Sequence, residues 1–145
     1  MRTLIATIAL ATFAGFATPA LAQADSRGAV KVVYHLSEGN AQSQNAIRNI
    51  RNHLTADPAA KIVVVTHAAG VQFLLDGAQD GGGAPFEAAV QELKAKGVDF
   101  RVCQFTLERN KIDPKKVIPE ATLVPSGVAE VSRLQFKEGF AYLRP

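Results

Sequence analysis

Cys103 is the only cysteine in the 145-residue chain, so it cannot form an intramolecular disulfide. Such a thiol is packing, an intermolecular partner or a reactive group. Its place points to chemistry. It closes the run Val98-Asp99-Phe100-Arg101-Val102, which reads as a strand, and the carboxyl ends of parallel strands form the rim where α/β proteins bind ligands. Two imidazoles hold comparable places. His35 lies near the end of the run Val30 to Leu36, and His67 directly follows Ile62 to Thr66. A thiol becomes nucleophilic as its thiolate, which a neighbouring cation or helix N-terminus favours. Arg101 shares a strand face with Cys103, since side chains two apart point the same way. A helix starting near Thr106 would aim amide N–H groups at the sulfur. Cys103 is therefore the candidate catalytic residue, with His67, Arg101, Thr106 and His35 as candidate supports.

Other readings of the same residues stay open. A buried cysteine behaves as a small hydrophobe, and His35, between Tyr34 and Leu36, fits a structural role. The rim could then bind a small ligand without catalysis. Two histidines and a cysteine are also ligands suited to copper or zinc, but no close-spaced ligand pair supports a metal site. Ser126 lies in Pro-Ser-Gly without the Gly-x-Ser-x-Gly elbow of a serine hydrolase. His53 falls on the polar part of a helical pattern and is expected to be solvated.

These residues need a parallel sheet to bring them together, and the chain alternates strand and helix signals. Val30–Leu36, Ile62–Thr66, Val98–Cys103, Ala121–Val124 and Phe140–Leu143 read as strands. Ala46, Ile47, Ile50 and Leu54 recur at helical spacing until Asp57-Pro58 stops them. Val71 to Leu75 suggests a short helix. Phe86, Ala89, Val90 and Leu93 mark another, with Pro85 in its first turn and Gly97 after its end. Thr106 is expected to cap a short segment, and Ser126 a helix running to Lys137 before Gly139. The glycine-rich Asp80–Ala84 is no phosphate loop, because no Gly-Lys-Ser/Thr follows. No cofactor is expected. The alternation predicts a three-layer α/β/α sandwich with a mainly parallel sheet of about five strands.

Residues 1–22 read as a cleaved signal peptide: Arg2, an apolar core from Leu4 to Phe16, and Ala20-Leu21-Ala22 as the small-x-small cleavage pattern. The expected mature chain, 23–145, suits a single domain in a bacterial periplasm. Of sixteen basic residues only Arg2 lies in the leader, leaving fifteen against thirteen acidic ones, a net charge of +2. With no basic run, nucleic-acid partners are not supported, and no membrane association is expected after cleavage.

Lys31-Val-Val-Tyr-His35, Ile62-Val-Val-Val-Thr-His67, Gly97-Val-Asp-Phe-Arg-Val-Cys103 and the tail Val124-Pro-Ser-Gly-Val-Ala-Glu-Val131 to Gly139-Phe-Ala-Tyr-Leu-Arg-Pro145 form an ordered set. With it, residues 29–145 resemble the DsrE/DsrF-like family, in particular its small exported members. The resemblance implies an α/β sandwich, homo- or hetero-oligomers, and sulfane sulfur carried on cysteine as a persulfide. The cysteine carries over onto Cys103 alone. The implied protein is a periplasmic sulfur-relay or persulfide carrier, sulfurtransferase-like without independent turnover. Its partners would be a sulfur donor or acceptor protein, or a small sulfane-sulfur compound. With no second cysteine, transfer would have to be intermolecular. The alternatives are a non-catalytic oligomeric small-ligand-binding module and a metal-binding protein.

Overall fold

The computed structural model describes residues 28–145, so the expected leader at 1–22 lies outside the described residues. Five strands, β1 (Lys31–Leu36), β2 (Lys61–Thr66), β3 (Asp99–Cys103), β4 (Ala121–Val124) and β5 (Ala141–Leu143), form one sheet in the order β4-β3-β2-β1-β5. All pairings are parallel. The helices are α1 (Asn40–Ala56), α2 (Phe86–Ala95), α3 (Gln104–Arg109) and α4 (Gly127–Glu138). Among the described residues no helix is long and apolar enough to cross a membrane.

The central strands are β-branched runs covered on both faces, and alternate residues divide between two cores. Val32, Tyr34, Ile62, Val64, Phe100 and Val102 face one core, built against α1, α2 and α3. Val33, Val63 and Val65 face a smaller one with Val131 and Leu134 of α4 and with Phe140. The layering follows from connection handedness. β1 to β4 step in one direction across the sheet, so right-handed crossovers put their connections on one face. The chain then returns past three strands to place β5 beside β1, which puts α4 on the opposite face. The chain therefore leaves β3 toward one face and β4 toward the other, and the divergence opens a crevice between their carboxyl ends.

Local signals set the ends of these elements. α1 buries Ala46, Ile47 and Ile50 and stops at Ala56, before Asp57-Pro58. The Ser126 hydroxyl accepts the Ala129 N–H at 3.3 Å at the start of α4, a cap contributing about 1 kcal/mol. Gly139 ends α4 at φ +72°, a conformation that favours glycine. Three local readings change. The Val71–Leu75 helix is a 3-10 segment, Ala68–Leu74. Pro85 precedes α2 as its N-cap residue instead of lying inside the first turn. α3 starts at Gln104 with Cys103 as its N-cap residue, so Thr106 lies inside the first turn and does not cap it. The reason is that strand and helix meet without a loop, which leaves Thr106 free for other contacts.

The 3-10 segment runs directly over the end of β1. A Cβ on Gly70 would stand 2.4 Å from the Leu36 carbonyl oxygen and 2.9 Å from the Ser37 nitrogen, both backbone atoms. Only glycine fits without moving one segment off the other. Gly70→Ala should therefore cost about 1–3 kcal/mol, measured as a lower urea midpoint by circular dichroism. An unchanged midpoint would mean the two segments separate freely.

Candidate functional site

Cys103 ends β3 and, by strand alternation, shares with Arg101 the face covered by α4. It is 5% exposed, and it lines a cavity of about 680 Å³ at the β3/β4 divergence. Burial pushes its thiol up, but hydrogen bonds outweigh that and hold it below the usual value. They come from the Thr106 hydroxyl and from the backbone N–H groups of Gly127, Thr106 and Phe105. Three of these four donors belong to the first turn of α3 and one to the start of α4, so both diverging helices contribute donors to a single sulfur.

Contacts behind those donors explain why they are in place. Thr106 Oγ1 accepts the Ala68 N–H at 3.0 Å, which leaves its own proton to donate to the sulfur. Ala68 adopts φ +49°, a conformation costing a non-glycine residue about 1–2 kcal/mol, and the bond to Thr106 helps hold it there. Gly127 approaches closely: a Cβ on it would meet Thr66 O at 3.0 Å and both Cys103 Cβ and His67 Cβ at 3.2 Å. A side chain there would push the α4 amide away from the thiol.

The two histidines gather on the same rim. β2 and β3 pair Thr66 with Val102, and the next residues are His67 and Cys103. His67 lines the cavity with the thiol. The His35 ring stacks on it with centroids 4.8 Å apart, and His35 Nδ1 hydrogen-bonds the Tyr142 hydroxyl at 2.8 Å. His35 Nε2 is buried without a partner. Burial lowers the pKa of both rings, and for His35 the charges of His67 and Arg144 lower it further. Both rings are thus biased to the neutral form at pH 7. Among the described residues no group of three or more His, Cys, Asp and Glu side chains is placed to hold a metal ion.

Arg101 is committed elsewhere. Its guanidinium bonds Asp99 at 2.6 Å and also pairs with Glu130 of α4, while Arg133 bonds Glu130 at 2.7 Å. Arg133 and Arg101 hold the Glu130 carboxyl below its usual range against the opposing effect of burial. Arg101 thus ties β3 to α4, and neither it nor His67 is among the groups that lower the thiol. His53 bonds the Tyr34 hydroxyl at 3.0 Å on the α1 side and is not simply solvated. Sequence reasoning missed Gly127, the Phe105 amide, Ala68 and Tyr142. Gly127 had a signal: it follows Ser126 at the start of the helix leaving the strand next to Cys103.

A family model for the DsrE/DsrF-like family matches residues 29–145. The chain belongs to the DsrE/DsrF-like family. Members are generally sulfur-relay proteins. Among solved structures, MTH1491 from Methanobacterium thermoautotrophicum, a protein of unknown function, is 31% identical with a TM-score of 0.71; the match covers 80% of this chain and 99% of that one. The YchN protein from E. coli shares the fold at 14% identity, with a TM-score of 0.64, covering 81% of this chain and 99% of the other. No curated protein matches the sequence. The five-stranded all-parallel sheet flanked by helices is thus the fold expected for this DsrE/F-like domain.

The donor set predicts a depressed thiol pKa. Iodoacetamide labelling of native protein should titrate with a midpoint below the ~8.5 of free cysteine, and be faster at pH 7 than a free thiol of equal access. Thr106→Val should raise the midpoint and slow labelling several-fold at pH 7, while Thr106→Ser should keep the native behaviour. Labelling that requires denaturant would rule out a solvent-reachable thiolate.

Proposed function

We propose that this protein is a periplasmic sulfur carrier in which Cys103 holds sulfane sulfur as a persulfide. The observation carrying the reading is the set of hydrogen-bond donors converging on a buried thiol that lines a cavity. These donors stabilise the Cys103 thiolate that attacks and later departs, and the cavity beside it has room for the outer sulfur on which a persulfide carries its charge. The Cys103 thiolate attacks a sulfane sulfur, the S–S bond of the donor breaks, and the donor leaves with the electron pair. An acceptor thiolate then attacks the outer sulfur, and the Cys103 thiolate departs. A lower-pKa thiol is the better leaving group, so the same hydrogen bonds favour unloading. With one cysteine in the chain, the acceptor is another molecule. The periplasmic placement rests on the leader pattern at residues 1–22.

The reading of a non-catalytic ligand-binding module has one observation in its favour, the 5% exposure of Cys103. Exposing processed protein to polysulfide separates the two. Intact-mass spectrometry should show one added sulfur atom on the native protein and none on Cys103→Ser. Native protein that gains no sulfur would favour the binding module.

We also expect copies to associate near the site. Phe140 belongs to the chain's own core with Val33 and Leu134. Tyr142 and Leu143 of the edge strand remain about 40% exposed (41% and 42%), and α4 presents Val128 at 58% and Phe136 at 90%. Val128 also lines the Cys103 cavity, so a second copy covering Val128 would narrow the mouth. At ~25 cal/mol per Å², covering these side chains favours association. Light scattering of processed protein should give the mass of an oligomer, a dimer or trimer under closed symmetry. A monomer mass at micromolar concentration would reject it.

A further inference from the structure

Arg109 stands apart from the other arginines of the described residues. Arg51, Arg101, Arg133 and Arg144 each pair with a carboxylate, and Arg48 bonds Asn45. Arg109 makes no ion pair or side-chain hydrogen bond among the described residues, and it lines the Cys103 cavity. Among the described residues it is the only Arg or Lys lining that cavity, and no Asp or Glu of the described residues lines it. Among those residues no carboxylate competes there for its guanidinium.

The placement follows from the helix. Cys103 is the N-cap residue of α3, and Thr106 and Arg109 follow at three-residue steps, each beside the one before it; all three line the cavity. Six residues of helix rise about 9 Å, and helical side chains lean back toward the N-terminus. Arg109 can thus hold a group at the far end of a substrate whose near end meets the sulfur. A guanidinium presents paired N–H donors that match two oxygens of an oxyanion.

We propose that the donor is a sulfane sulfur carried on an oxyanion, thiosulfate or an organic thiosulfonate, with Arg109 reading the sulfonate end. This rests on the persulfide reading above and names its substrate class. The Cys103 thiolate attacks the outer sulfur of thiosulfate, a Cys–S–S bond forms, and the S–SO₃ bond breaks. Sulfite leaves with the electron pair, the persulfide carries the remaining negative charge, and no external oxidant is required. A thiolate approaching a dianion meets repulsion, and Arg109 offsets it where the charge collects on the departing sulfite. The persulfide left behind keeps its inner sulfur among the donors that held the thiolate, with its charge on the outer sulfur in the cavity.

The test compares thiosulfate with polysulfide, whose charge lies on sulfur without oxyanion oxygens. Native protein should gain one sulfur from thiosulfate and release one sulfite for each sulfur gained. In Arg109→Gln, the ratio of thiosulfate to polysulfide loading rates should fall about ten-fold or more. Arg109→Lys should recover part of that ratio, since it restores charge but not the paired donors. Both variants change a surface residue, and matching unfolding curves will show that they fold. Native protein loaded by polysulfide but not thiosulfate would overturn the donor class and leave the persulfide reading standing. Loading by neither would overturn the persulfide reading and this inference with it. Thiosulfate loading with the same ratio in native protein and Arg109→Gln would overturn the role of Arg109.

Discussion

From β4 the chain returns across three strands to reach β5, and right-handed connection forces it onto the face the earlier crossovers leave open. The site depends on that reversal. If β4 had continued outward like its predecessors, α4 would lie with α1 and α2, and its first amide would point away from β3. Because it reverses, α3 and α4 part on either side of the sheet edge, and a cavity opens where they part. Cys103 sits at the point of divergence, held by amides from both helices.

The electrostatics of the thiol are those of hydrogen bonding at a buried sulfur. Burial alone would keep the sulfur protonated, and no charged side chain contributes to lowering it. Directed N–H and O–H dipoles do the lowering, and they act at short range where water competes poorly. Arg101, the nearest cation along the strand, is matched by Asp99 and Glu130. Its charge secures α4 to the sheet and thereby steadies the Gly127 amide. Arg109, which pairs with no carboxylate among the described residues, lines the cavity instead.

The histidine pair adds a neutral, polarisable wall. His35 and His67 stack at 4.8 Å, and two imidazolium ions at that distance would repel each other inside a partly buried site. Their depressed pKa values follow from burial, with the charges of His67 and Arg144 adding for His35. The Tyr142 bond to His35 extends the arrangement to β5, so the short edge strand helps orient a ring that contacts a residue lining the cavity.

The sequence by itself determined the strands, their parallel order of appearance, the stops at Asp57-Pro58 and Gly139, and the rim positions of His35, His67 and Cys103. Those are local: β-branched runs, helical spacing, proline and glycine constraints, and the rule that strand ends share one edge in a parallel sheet. The tertiary structure decided which neighbours serve the sulfur. Arg101 and Cys103 do share a face, as two-residue spacing requires, but Glu130 lies 29 residues on and no spacing rule announces that it captures the guanidinium. Thr106 looked like a cap and became a donor to the thiol, because β3 runs into α3 without a loop. Gly127 looked like the start of a helix, and its lack of a side chain matters only because β2, β3 and α4 converge within 3.2 Å of its missing Cβ. Short-range sterics are written in neighbouring residues, whereas the field at a buried atom is set by whatever packing brings within a few ångströms.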